Sequence, residues 1–359
     1  QAREVLDETR STPATPVDGA EPERAALLAR ADSLLARSEG ADPWWAEPTL
    51  ERGWLAYEAG RRASGAAARL RFRAAQAFAA RVLAREPGNA RALELRGALR
   101  FVLATGGGPG QEARVDSAER DLRAAVAAEP SLASAWSHLS QVLRYRARTA
   151  ESEAAARRAL AEDAYLDDAA DIYSRLFFSA MLLESYAEAR SLCDTGRQRF
   201  AGDWRFVECG LTLLREDRSR PPDPAGAWRL VARLDRLDPP ERAAAEGRGY
   251  SPVYRRALVA AILARAGERD SARAVLARAR AMVAGDPERT LDLAYDEAYV
   301  LLLLGEPEAA RAKLAEVLAH RSWLRDFARR DPLFRELFTP QAPAAAGSSR
   351  PDAPPPPTR

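Results

Sequence analysis

The ten residues Gly267-Glu268-Arg269-Asp270-Ser271-Ala272-Arg273-Ala274-Val275-Leu276 decide how this chain is read, because their frame returns 38 residues later as Gly305-Glu306-Pro307-Glu308-Ala309-Ala310-Arg311-Ala312-Lys313-Leu314. In each copy a glycine stops one helix, a short acidic stretch starts the next, and Ala, Arg and Leu follow at fixed offsets. A second series of marks, Asp42-Pro43, Glu86-Pro87 and Glu129-Pro130, recurs at steps of 44 and 43 residues. A chain punctuated at such a period is a helical repeat array.

Working outward, the small residue that opens each second helix falls at Ala75, Ala118, Ser152, Ala189, Ala227, Ala272 and Ala310. Small side chains are required there because paired antiparallel helices approach to about 8–10 Å. The copy starting at Ala133 is the fullest, with Trp136, Leu139, Ser140 and Leu143 on its first helix and Ser152, Ala156 and Ala159 on its second. Trp136 holds the large first-helix position and is expected to wedge between its own second helix and the preceding one.

This pattern resembles the tetratricopeptide repeat, over residues 22–338. The resemblance implies an all-α fold: a right-handed superhelical solenoid of antiparallel helix pairs, with about seven repeats and a half repeat at Ala31–Pro43. A C-terminal capping helix is read in Trp323-Leu324-x-x-Phe327 and Pro332-Leu333-Phe334-x-x-Leu337-Phe338. Repeats one and two carry about ten residues more than the family pattern, visible in the second as the loop Thr105–Gly110. Pro221-Pro222-Asp223-Pro224 marks a turn in the fifth.

The expected organisation is a disordered spacer at 1–21, the half repeat plus five repeats at 22–239, a hinge or linker at 240–252, two repeats with the capping helix at 253–338, and a disordered Pro/Ala-rich tail at 339–359. Pro239-Pro240, Gly247, Gly249 and Pro252 argue for the hinge. Repeats contact only their neighbours, so 359 residues need no division into several globular cores.

Composition narrows the function classes. The 54 basic residues, all arginine except Lys313, nearly balance 52 acidic ones and alternate with them on helix faces. Strips such as Arg69-x-Arg71-x-Arg73 are read as solvated faces, so no nucleic-acid partner is expected. No apolar run approaches the ~20 residues of a membrane span. His138 and His320 are far apart, Gly106–Gly110 lacks a phosphate-loop Lys, and Asp163, Asp167, Asp168 and Asp171 read as helix-start acids. Neither catalytic residues nor a metal or cofactor is expected. Cys193 falls at a bulky second-helix position where a buried free thiol is the ordinary outcome, a disulfide with Cys209 being the alternative. A chain that begins Gln1-Ala2 reads either as the mature end of an exported bacterial protein, in the periplasm or cell envelope, or as a fragment; a cytoplasmic home is the alternative.

In the family, ligands lie in the concave groove made by the first helices. Carried over position by position, the resemblance implies a groove lined by Trp54, Tyr57, Arg91, Glu94, Phe101, Ser137, Gln141, Arg144, Tyr145, Asp171, Ser174, Tyr254, Tyr295 and Tyr299, with Phe178 beside them. Arg91 and Arg144 would grip a carboxylate or carbonyl of the partner. The expected function is a non-catalytic scaffold or adaptor for a protein or peptide. Asp331-Pro332-Leu333-Phe334 is similar to the close of repeat regions attached to bacterial serine/threonine kinases, which implies an extracytoplasmic sensor region as the alternative. A helical-repeat small-molecule carrier is the second alternative and would need a deep pocket with converging polar groups.

Overall fold

The computed structural model describes residues 20–105, 110–245, 247–321, 324–331 and 333–338. Residues 1–19 of the expected spacer, the tail and residues 106–109 of the Thr105–Gly110 loop lie outside the described residues, as do Trp323 and Pro332 of the capping stretch; residues 20 and 21, expected to close the spacer, are already helical. Among the described residues there are helices and turns and no strand.

A lone helix α1 (Ala20–Ala41) is followed by α2 (Ala46–Arg62) and α3 (Gly65–Arg85), α4 (Ala90–Thr105) and α5 (Gln111–Ala128), and α6 (Ala133–Tyr145) and α7 (Thr149–Glu162). Next come α8 (Ala169–Leu182), α9 (Tyr186–Arg199), α10 (Arg205–Glu216), α11 (Pro224–Leu237) and the short α12 (Pro240–Ala245). The array closes with α13 (Ser251–Arg265) and α14 (Arg269–Met282), α15 (Pro287–Leu303) and α16 (Pro307–His320), then α17 (Arg325–Arg330) and a 3₁₀ turn at Arg335–Phe338. The chain divides into two compact units, residues 1–179 and 180–359.

Each of the seven predicted small residues sits on a second helix and is buried: Ser152 is 5% exposed and the six alanines not at all. The first helices meet them with equally small partners. A Cβ added at Gly97 would stand 2.7 Å from Leu122 Cγ and 3.2 Å from the Ala118 carbonyl oxygen, so glycine is what lets α4 and α5 close on each other. The same position in the next repeat is Ser140, whose carbonyl accepts a 2.8 Å bond from the Ser152 hydroxyl. The extra residues of the first repeat are helical, lengthening α2 to 17 and α3 to 21 residues against 13 and 14 in α6 and α7. Trp136 is half-buried against the core of the first unit and donates its indole N–H to the Pro130 carbonyl at 2.9 Å.

The glycine of the opening motif has a local cause. Gly267 (φ +79°) and Gly305 (φ +75°) are left-handed residues that end α13 and α15. The following amides reach back five residues, Glu268 to Leu263 at 3.0 Å and Glu306 to Leu301 at 2.9 Å, which satisfies carbonyls the helix end leaves bare. The third and fourth repeats make the same turn without glycine, at Ala147 (φ 56°) and Glu184 (φ 55°).

Two features of the second unit tie its irregular parts. Cys193 of α9 and Cys209 of α10, both buried, form a disulfide with a 6.0 Å Cα separation, so the free-thiol expectation for Cys193 is replaced by the bonded alternative. Two neighbouring helices bring the pair within bonding reach. Residues 240–252, the expected hinge or linker, lie inside this unit. There the fully buried Asp238 carboxylate accepts both arms of Arg248 at 2.8 Å and the guanidinium of fully buried Arg255, which also donates to the Asp238 carbonyl at 3.0 Å. Burial opposes the charge on Asp238, but the two arginines outweigh it and hold its carboxyl below the usual range.

Candidate functional site

The first-helix face of the first unit is built by α2, α4 and α6. On α2, Trp54 and Tyr57 are one helical turn apart and meet edge to face, with centroids at 5.3 Å. From α6, His138 lies flat on Trp54 at 5.5 Å and 15°, so the first and third repeats touch across the second. Beneath them Glu94 of α4, 2% exposed, holds His138 Nδ1 at 3.1 Å. Burial works against a charge on His138, yet the hydrogen bond and charge of Glu94 prevail and raise its pKa above the ordinary value. Burial pushes the Tyr57 phenol up to about 12.

Farther along the same face, Phe101 of α4 and Tyr145 of α6 stack edge to face at 5.7 Å, and Tyr145 remains 46% exposed while taking a hydrogen bond from Gln111. Arg144 is exposed beside it, and Gln141 is half-buried one turn back. On α8, Phe178 is 58% exposed, Asp171 is exposed and Ser174 is half-buried. Ser137 is buried; it donates to Asp168 and accepts from Arg175 at 3.0 Å, an internal link rather than an open contact. Arg91, expected to grip a partner, instead grips two carboxylates of its own chain, Glu47 and Glu51 of α2, the latter at 2.7 Å. The reason is local: the neighbouring first helix presents acids one turn apart opposite it.

The remaining predicted residues gather in the second unit, on α13 and α15. Tyr254 and Tyr299 flank Arg215 of α10, whose guanidinium carbon lies 4.7 Å from the Tyr299 ring centre and 5.9 Å from that of Tyr254, and Tyr295 stands one turn before Tyr299 on α15. Tyr299 donates to Glu216 at 2.7 Å, Tyr250 donates to Asp296 at 2.6 Å, and Arg215 reaches Asp296 at 3.5 Å. First helices of alternate repeats therefore meet here too, α10 with α15. Burial raises Asp296 to about 6, against the pull of Arg215 and the Tyr250 hydrogen bond, and raises Tyr254 to about 12. Phe334 of the closing segment lies edge-on to Tyr295 at 5.1 Å and to Tyr299 at 5.9 Å, itself fully buried.

His138, Asp168, Arg175, Arg215 and Asp296 are absent from the sequence-derived groove. His138 is one residue from a predicted position, so a register error of about 100° around the helix hides it. Arg215 and Asp296 stand among other charged residues of their own helices, Glu208 and Glu216 on α10 and Asp292 and Glu297 on α15, so nothing in the sequence singles them out. Among the described residues no cluster of three or more His, Cys, Asp or Glu is arranged to hold a metal ion, and no helix is long and apolar enough to cross a membrane.

No protein-family model and no curated protein sequence matches the chain. Among solved structures, a tetratricopeptide repeat protein from Parabacteroides merdae aligns at a TM-score of 0.50 with 12% identity, over 81% of this chain and 98% of that one. The Cut9–Hcn1 hetero-tetramer of the APC/C aligns at 0.50 with 13% identity, over 93% of this chain and 58% of that one. PilF of Pseudomonas aeruginosa aligns at 0.49 with 13% identity, over 70% and 97%. At such identities the likeness concerns the fold, and with the seven buried small residues in register it shows a helical repeat array of the tetratricopeptide type.

Proposed function

We propose that the chain is a non-catalytic scaffold and that the first-helix face of its first unit holds an extended protein or peptide segment. The observation that carries this reading is the aromatic pair of half-buried Phe101 and exposed Tyr145 on adjacent first helices, with Arg144 and Gln141 beside it. Aromatic and arginine side chains at an accessible face are the usual anchors of protein interfaces. Tyr145 and Arg144 carry the contact, and Trp54, Tyr57 and Glu94 shape the floor beneath it. A cleft on the second unit is lined by five arginines, of which Arg190, Arg197 and Arg229 are matched to Asp217, Asp194 and Asp223 and Arg233 donates to the Ala201 carbonyl, which leaves few converging polar groups for the carrier alternative.

Replacing Tyr145 and Arg144 together by alanine should weaken partner binding by about 2 kcal/mol. The matching change at Arg157 and Arg158, which pair with Glu153 and Glu162 on their own helix, should leave binding unchanged. A photo-crosslinking residue placed at 145 or at 158 in the native host reads this directly. Crosslinks from 158 and none from 145 sink the proposal.

A second reading, an extracytoplasmic sensor region of a signalling protein, is favoured by the Cys193–Cys209 bond, because disulfides persist in oxidising compartments. Alkylation of intact cells without reductant should leave both cysteines unmodified. Two alkylated thiols would refute export.

A further inference from the structure

The closing segment Asp331–Phe338 does more than end the array. A terminal cap has only the last helix pair to cover; this segment sends Phe334 between Tyr295 and Tyr299 of that pair, and Tyr299 in turn donates to Glu216 of α10, two repeats back. Leu333, Leu337 and Phe338 complete the cover. What lies underneath is polar: Arg215, Asp296, Tyr250 and Glu216, bonded to one another. Buried ion pairs are often less stabilising than apolar packing of the same shape, so a face that needed only a lid would gain from apolar residues here. An arginine set among tyrosines is instead the composition of a recognition site. The segment is held by its side chains, since its amides at Leu333, Arg335 and Leu337 bond within the segment itself.

We propose that Asp331–Phe338 is a built-in occupant of a peptide site on the second unit, and that the ligand in trans is a protein segment that presents an aromatic side chain in the manner of Phe334. The incoming ring takes the slot between Tyr295 and Tyr299, and the resident segment leaves. This site is separate from the open face of the first unit and stands or falls without it.

The test uses the full chain and a fluorescent synthetic peptide of the chain's own residues 329–338, followed by anisotropy. The wild-type chain should bind it weakly, because its own segment competes. Phe334→Ala, which empties the slot, should bind it at least about ten-fold tighter, as expected when a competing closed state is removed. The same peptide with alanine in place of Phe334 should bind neither chain. A folded Phe334→Ala chain that binds no better than wild type overturns the proposal. Should that variant lose its helical circular dichroism, hydrogen exchange on the wild-type chain decides. Excess peptide should speed exchange at the Arg335 and Leu337 amides several-fold, and unchanged protection there overturns the proposal, even if the peptide binds to the first unit.

Discussion

The two first-helix faces are built on one plan and finished differently. In the first unit Trp54 reaches His138 across the second repeat, and in the second unit Arg215 and Glu216 reach Asp296 and Tyr299 across the sixth. The first face keeps Tyr145 46% exposed, while the second has Phe334 at 0% over its tyrosines. The difference teaches that repeat geometry alone does not fix whether a face is open. What fixes it is whether a neighbouring segment offers a side chain of the right shape and charge. Charge follows the same division: Arg91 bonds Glu47 and Glu51 at a rim where all three are partly exposed, whereas Arg255 and Asp238 are fully buried.

The largest expected effect breaks that contrast at the ion pairs. Arg255→Ala strands the Asp238 carboxylate with one partner and should destabilise the second unit by about 3–5 kcal/mol. Arg91→Ala, at a wetter site, should lose no more than about 1 kcal/mol. Denaturant melts read by hydrogen exchange assign each loss to its unit, and equal losses would erase the distinction. Next, replacing Cys193 and Cys209 with alanine opens a 16-residue loop and should lower stability by about 3 kcal/mol. Exchange protection in α9 and α10 should fall, and that in α2 to α7 should not.

Protonation sharpens the comparison. Asp296 is raised from 3.8 to about 6, so between those values the folded chain keeps a proton that the unfolded chain has lost. The stability of the second unit should then fall as pH rises from about 4 to 6, by no more than about 3 kcal/mol in all. Asp296→Asn, which still accepts from Tyr250, should flatten that slope. Arg215, Asp292 and Glu216 act on Asp296 from around it, and a slope unchanged by the substitution would show that Asp296 does not carry the proton. His138 is also raised, by Glu94, so its contribution is fully present below pH 6.5 and is lost as pH climbs through the higher folded value. Glu94→Gln should remove that loss in the first unit alone.

The smallest effects have opposite signs. Gly267→Ala and Gly305→Ala meet open space but force alanine into left-handed backbone, so each should destabilise by about 1 kcal/mol. Ala147→Gly relieves the same strain and should stabilise by a similar, about 0.5–1 kcal/mol, amount. Thermal midpoints that move the same way in all three variants would mean the four turns are not equivalent.

The sequence by itself determined the repeat register. A left-handed helix stop needs Gly or tolerates few others, and a close helix crossing needs Ala, Ser or Gly, so those requirements are written one residue at a time and read without the fold. The groove was legible only as far as position within a helix carries. Phe101, Tyr145 and Arg144 are accessible on their first helices, while Tyr57, Glu94, Ser137 and Tyr299 are buried. The rest was decided by tertiary structure, because it depends on which residues meet from far along the chain: Glu94 with His138 across 44 positions, Arg215 with Asp296 across 81, Arg255 with Asp238 from the two sides of a segment that reads as a linker. Period and composition describe neighbours along a helix. Burial, and with it the charge state of Asp296 and the concealment of Tyr299 under Phe334, is a property of what packs on top, and no local pattern encodes that.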